Sequence, residues 1–200
     1  MQLRGVVLVE GTSDRLAVEA LARRLGRDLQ AEGVAIVPMG GYGNLPHFLE
    51  RYREFRLAGV YDAGEERHFL RALDCDDRRE LERAGFYACT RDLEDELTRA
   101  VGPEEMERVL AEQGELRAFR TYQKQPAHRE RPLEEQLHGF MWNRKQRYAV
   151  LLVDALDLER VPRPLDRALA HVELSVRGTS CRSRHRASPI GGGGLCPPEP

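Results

Sequence analysis

Two hundred residues, at roughly 150 per domain, amount to one domain and an appendage. With 41% hydrophobic and 32% charged residues, the composition excludes a generally disordered or fibrous chain. The formal net charge of −2, from 31 basic and 33 acidic residues, gives no global positive field to draw the chain to nucleic acid, although a metal-holding site needs local acid whatever the total. The longest apolar runs, Val6 to Val9 and Tyr148 to Val153, fall far short of the ~20 residues that cross a bilayer. Met1 to Gly5 leads into a short apolar run backed by Glu10, which is not a secretory signal. A soluble cytoplasmic protein without a membrane partner is expected.

Two details of composition stand out. Of the 31 basic residues only Lys124 and Lys145 are lysines, and the other 29 are arginines. A GC-rich genome explains the bias, yet a lysine retained against it is a candidate for a site that needs a compact point charge. The cysteines Cys75, Cys89, Cys181 and Cys196 form no CxxC pair, which suggests neither a zinc site nor a disulfide framework.

Val6 to Val9 is a uniformly apolar, β-branched run, as a strand buried on both faces requires. Gly11, Thr12 and Ser13 supply a turn and cap, and Asp14 to Leu25 has helical spacing of Leu16, Val18, Leu21 and Leu25. Val34 to Val37 is a second strand. After the loop Gly40-Gly41-Tyr42-Gly43-Asn44 a helix runs to about Phe55. Leu57 to Tyr61 is a third strand, followed by an Arg/Glu-rich helix from about Glu65, with 62–83 read as a solvated helix face. Gly85 to Cys89 is a fourth strand, and Leu93 onward is helical. This alternation means βαβ units and a mostly parallel four-stranded sheet flanked by helices, an α/β fold.

Beyond Gly102 no further buried strand is convincing. Glu104 to Glu112 and Pro132 to Ala155 read as helical with short breaks, and a last helix ends near Val172. From about Leu174 the composition collapses to Arg, Ser, Gly and Pro, including Gly191 to Gly194. The expected organisation is a core at 1–102, a helical extension packed on it at 103–172, and a disordered low-complexity tail at 173–200.

The acids fall in a pattern. Glu10 ends the first strand, Asp62 ends the third, and Asp92, Glu94, Asp95 and Glu96 follow the fourth. In an open parallel sheet the carboxyl ends of the strands share one edge, where ligands bind. Carboxylates gathered there repel one another unless a cation sits among them, and hard oxygen donors suit Mg²⁺ or Mn²⁺. Acids also open helices for purely local reasons, but three in this arrangement argue for a site.

Val9-Glu10-Gly11, followed by Thr12, Asp14 and a helix, resembles the opening motif of the TOPRIM domain of topoisomerases, primases and OLD-family (overcoming lysogenization defect) nucleases. The Gly40–Asn44 loop, Asp62, and the run Arg91-Asp92-Leu93-Glu94-Asp95-Glu96-Leu97 resemble the OLD type in particular, and the likeness spans roughly 3–172. The resemblance implies a TOPRIM-like, Rossmann-like fold and metal-dependent phosphodiester chemistry on DNA. It implies Glu10 as metal ligand or general acid/base, Asp62 and Glu94 as metal ligands, and Asp14, one turn past Glu10, completing the coordination sphere. It also implies that Lys124 is a catalytic lysine near the scissile phosphate; a surface lysine is the alternative.

Where the family shows Asp-x-Asp after its third strand, this chain reads Asp62-Ala63-Gly64-Glu65-Glu66. The second ion is therefore open, with Glu65 or Glu66 as substitutes or merely an acidic helix start. Gly40, Gly41 and Gly43 either present N–H groups to a phosphate or form a plain strand-to-helix turn. Arg144-Lys145-Gln146-Arg147 is a basic patch that contacts a DNA backbone, Lys145 included, or an ordinary exposed face. The six histidines lack metal-ligand spacing and read as structural or surface.

OLD enzymes usually carry an ATPase domain before the TOPRIM. No phosphate loop (GxxxxGK followed by Ser or Thr) is present in these 200 residues, so any ATPase is expected as a partner in trans. The leading expectation is an OLD-like endonuclease acting on DNA with one or two Mg²⁺ or Mn²⁺ ions, possible as a homodimer. The rivals are a non-catalytic TOPRIM-like binding module, which Gly64 favours, and a receiver-type phosphoacceptor built on Asp62 and Thr90.

Overall fold

The computed structural model describes residues 2–173. The expected tail, with Cys181 and Cys196, lies outside the described residues apart from Glu173. Four parallel strands, β1 (Gly5–Val9), β2 (Val34–Pro38), β3 (Arg56–Asp62) and β4 (Phe86–Cys89), form one sheet in the order β2-β1-β3-β4. In β1 the side chains of Val6 to Val9 are fully buried, and they alternate between two cores. Val7 and Val9 join Ala58, Val60 and Cys89 on one face, while Val6 and Leu8 join Tyr61 and Phe86 on the other. Period-two alternation with both faces apolar is what a central parallel strand demands.

The chain steps from β1 outward to β2, then crosses back over β1 to β3 and β4. The direction of winding therefore reverses between β1 and β3, and the crevice at that switch point opens beyond their carboxyl ends. Gly59 permits the close approach there: a Cβ would lie 2.9 Å from the Leu8 carbonyl oxygen and from the Phe86 ring.

Helices α1 (Thr12–Arg24) and α2 (Leu29–Glu32) link β1 to β2, α3 (Leu45–Arg51) links β2 to β3, and α4 (Glu66–Leu73) and α5 (Arg78–Arg83) link β3 to β4. The 62–83 segment is not a wholly solvated face: Phe69 and Leu81 are fully buried in the core of Val6 and Leu8. Leu70, Ala72 and Leu73 pack partly buried against the same core, so the charges of α4 occupy one side of an amphipathic helix. Helix α3 also stops at Arg51, short of Phe55.

After β4 come α6 (Leu93–Val101), α7 (Pro103–Glu112), α8 (Leu116–Gln123), α9 (Leu133–Met141), α10 (Lys145–Ala155) and α11 (Arg163–Glu173). Helix α8 was not anticipated; Phe119 anchors it. These helices share one continuous core with α1 and the Val7/Val9 face of the sheet. Arg24 on α1 donates to the carbonyls of Val153 and Leu156 at the end of α10, and Arg27 donates to Leu169 O at 3.0 Å. Cationic donors placed on helix C-terminal carbonyls satisfy groups that would otherwise be orphaned. Among the described residues no helix is long and apolar enough to cross a membrane.

Candidate functional site

Five carboxylates, from Glu10, Asp14, Asp62, Asp92 and Glu94, and one ammonium, from Lys145, line a single pocket at the switch point. Glu10 follows β1 directly. Gly11 caps α1 in extended conformation, and the Asp14 carboxylate turns back to accept its N–H at 2.9 Å. Asp62 ends β3, where its N–H donates to the Tyr42 hydroxyl at 3.1 Å. Asp92 caps α6 by accepting the Asp95 N–H at 2.8 Å, and its other contact is His138, whose Nε2 lies 2.9 Å from Oδ2. Glu94, in the first turn of α6, is buried. Its Oε2 lies 3.3 Å from Lys145 Nζ, whereas its Oε1 is buried with no hydrogen-bond partner.

The electrostatics follow from this crowding. Burial, then the neighbouring Glu94, Glu10 and Asp62, push Asp14 up to about 7 against the opposing Gly11 N–H. Burial, then Glu10, push Asp62 up to about 6, with the Tyr42 hydroxyl resisting. Asp92 goes the other way: burial works to raise it, but His138 and the Asp95 N–H prevail and hold it below the usual carboxylate range. The metal-free pocket thus holds its protons more tightly than the unfolded chain does at Asp14. A group whose folded pKa is raised contributes stability below its unfolded value of 3.8 and loses it as pH rises to about 7, here by up to about 4 kcal/mol. Asp14→Asn, which keeps an oxygen for the Gly11 N–H, is expected to melt above wild type at pH 8 without metal, and to lose that advantage by pH 4. Thermal melts at the two pH values check this; an advantage independent of pH would overturn it.

The donors are hard oxygens, with no cysteine or histidine among the lining groups, a set suited to Mg²⁺ or Mn²⁺ rather than zinc. The orphaned Glu94 Oε1 is a second mark of fit, because a buried, unsatisfied carboxylate oxygen costs free energy until a ligand meets it. As the side chains stand, no three His, Cys, Asp or Glu among the described residues converge closely enough to hold an ion. Asp14 is held by Gly11, Asp92 by His138 and Glu94 by Lys145, so the backbone gathers the donors while local partners keep them apart.

Of the residues singled out in the sequence, Glu10, Asp14, Asp62, Glu94, Lys145 and Gly41 come together here. Lys124, the C-cap of α8, is exposed and is not among the lining residues, and neither is Gly43. The N–H groups of Gly40 and Gly41 both donate to the Glu10 carbonyl, at 2.9 and 3.4 Å, so they fasten the loop to the strand end. Glu65 pairs with His68 and Glu66 with Arg78, and neither lines the pocket. Gly64 is exposed, with open space where a side chain would stand. Sequence reasoning missed the roles of His138, Tyr42 and Trp142.

Residues 3–60 match the family model of the overcoming lysogenization defect protein-like TOPRIM domain. That segment, from β1 into β3, is what is similar to an OLD-like TOPRIM domain. The matched segment contains Glu10, Asp14 and Gly41; Asp62, Glu94 and Lys145 lie beyond it. The fold of the chain is similar to that of the C-terminal region of the Burkholderia pseudomallei OLD protein, with TM-score 0.67 at 18% identity over 86% of this chain and 98% of that one. It is similar as well to the C-terminal region of the Xanthomonas campestris pv. campestris OLD protein, with TM-scores of 0.63 at 24% and 26% identity in two structures covering 94% and 95% of those chains and 86% of this one. None of the curated proteins matches.

Proposed function

We propose that this chain is a divalent-metal-dependent nuclease that hydrolyses phosphodiester bonds in DNA. The observation that carries the reading is the delivery of Glu10, Asp62 and Glu94 from three separate strand ends into one pocket whose only lining cation among the described residues is Lys145. Asp62 and Glu94 would hold Mg²⁺ or Mn²⁺, with Glu10 and Asp14 beside them. A bound divalent ion supplies phosphate polarisation and a readily ionised water. Glu10, half-buried at the pocket wall, is the group placed to take or return a proton. Lys145 extends from the first turn of α10 and offers its ammonium to a phosphate oxygen as charge develops.

Supercoiled-plasmid cleavage with Mg²⁺, then Mn²⁺, and with chelator tests the proposal. Nicking or linearisation that requires metal is expected. No cleavage with either ion would sink the reading for this chain. A second reading, a TOPRIM module that binds without cutting, is favoured by Gly64, and calorimetric metal binding without cleavage would select it.

The vacancy in the Asp-x-Asp pattern gives a further expectation. Because a Cβ at 64 would meet nothing within 4 Å, Gly64→Asp has room to start a carboxylate side chain two residues from Asp62. The variant is expected to lower the half-saturating Mn²⁺ concentration for cleavage about tenfold, equivalent to ~1.4 kcal/mol. An unchanged metal titration would mean that position 64 does not face the ions.

A further inference from the structure

Trp142 is the one tryptophan in the sequence, and 56% of its surface is exposed. It stands on a 3-10 turn, Trp142–Arg144, between α9 and α10, and it lines the acidic pocket. Lys145 Nζ lies 4.1 Å from its ring centroid, and the His138 ring packs beside it at 5.9 Å. A shallow depression adjoining the pocket is lined by Trp142, Arg144, Lys145 and Arg147. Arg144 and Arg147 share a single carboxylate, Glu115, at 3.5 and 2.8 Å, so two guanidiniums face one negative charge and an excess positive charge remains. A large exposed aromatic beside surplus positive charge fits a ligand that is flat and apolar in one part and anionic in the next. A nucleotide strand has that alternation, with a base face for the ring and phosphates for the arginines.

We propose that Trp142 is a stacking platform for an unpaired DNA base, with the adjoining backbone running along Arg144 and Arg147 toward Lys145 and the acidic pocket. In a continuous duplex both faces of each base are covered by its neighbours, so the platform selects single-stranded DNA or a frayed or gapped segment. The inference rests on the nuclease reading for its orientation toward the pocket, and it adds the substrate class that reading leaves open.

The lone tryptophan is its own reporter. In metal-free buffer with chelator, a single-stranded oligonucleotide of about 12 nucleotides, within the span of common single-strand sites, is expected to quench the intrinsic emission saturably. The matching duplex at equal nucleotide concentration is expected not to do so. Anisotropy of a labelled single strand then reads the variants. Trp142→Ala and Trp142→Leu are expected to weaken binding about tenfold or more, whereas Trp142→Phe retains most of it, as stacking requires. Equal quenching by duplex, no quenching by either, or a Trp142→Phe variant as weak as Trp142→Ala would overturn the proposal. Because no metal is present, cleavage plays no part in the readout. Single-strand quenching without plasmid nicking upholds the platform while the nuclease reading fails, and nicking without quenching does the reverse.

Discussion

Glu10→Ala and Asp62→Ala are each expected to reduce metal-dependent plasmid nicking by about 10³-fold or more, the loss that follows when ~4 kcal/mol of transition-state stabilisation is removed. The two carboxylates come from adjacent strand ends, and Glu10 is among the causes that raise Asp62. Neither substitution strips the fold of an anchor. Gly40 and Gly41 bind the Glu10 backbone carbonyl, and the Tyr42 hydroxyl accepts the Asp62 backbone N–H, so both contacts survive truncation of the side chain. Removing one carboxylate from a crowded set also relieves repulsion, so the metal-free variants are expected to melt no lower than wild type at pH 8. Activity lost with stability kept assigns the residues to chemistry. Cleavage that persists in both variants would remove the pocket from consideration as the catalytic centre.

The layout of strands and helices was legible because each parallel strand has an apolar centre, unmistakable in Val6 to Val9, and each is followed by a turn and a helix. The same punctuation exposed Glu10, Asp62 and Glu94, since an acid just beyond a buried strand has only the carboxyl edge of the sheet to occupy. What stayed hidden depends on contacts between distant segments. His138 reaches Asp92 across 46 positions, and Lys145 reaches Glu94 across 51, so no local spacing links either pair. Tyr42 lies in the Gly40–Asn44 loop, 20 positions from Asp62, and no local pattern shows that its hydroxyl accepts the N–H at the end of β3. Helix α8 carries Leu116, Phe119 and Tyr122 on one face, but only Phe119 is fully buried, and at eight residues the helix is too short to stand without its packing. Two signals were present without being used to the full: the single tryptophan, and a lysine kept among 29 arginines at a position that proves to line the pocket.

That last signal separates two lysines. The family resemblance points to Lys124, but Lys124 is exposed at the end of α8, whereas Lys145 sits in the pocket between Glu94 and Trp142. Lys145→Met is therefore expected to cut cleavage by about 10²–10³-fold, the loss typical of removing one donor aimed at developing charge, and Lys124→Met to leave it within about twofold, as for an exposed side chain away from the reacting atoms. The metal should respond in the opposite sense. Lys145 competes with any cation for Glu94 Oε2, so Lys145→Met frees that oxygen alongside the already unpartnered Oε1. Metal binding by calorimetry is expected to hold or tighten in the very variant that loses activity. A structural lysine would behave differently, since breaking a largely buried ion pair costs stability and weakens binding and catalysis together. Should Lys124→Met instead abolish cleavage while Lys145→Met retains it, the catalytic cation would have to come from α8, and that helix would have to swing to the pocket when DNA binds.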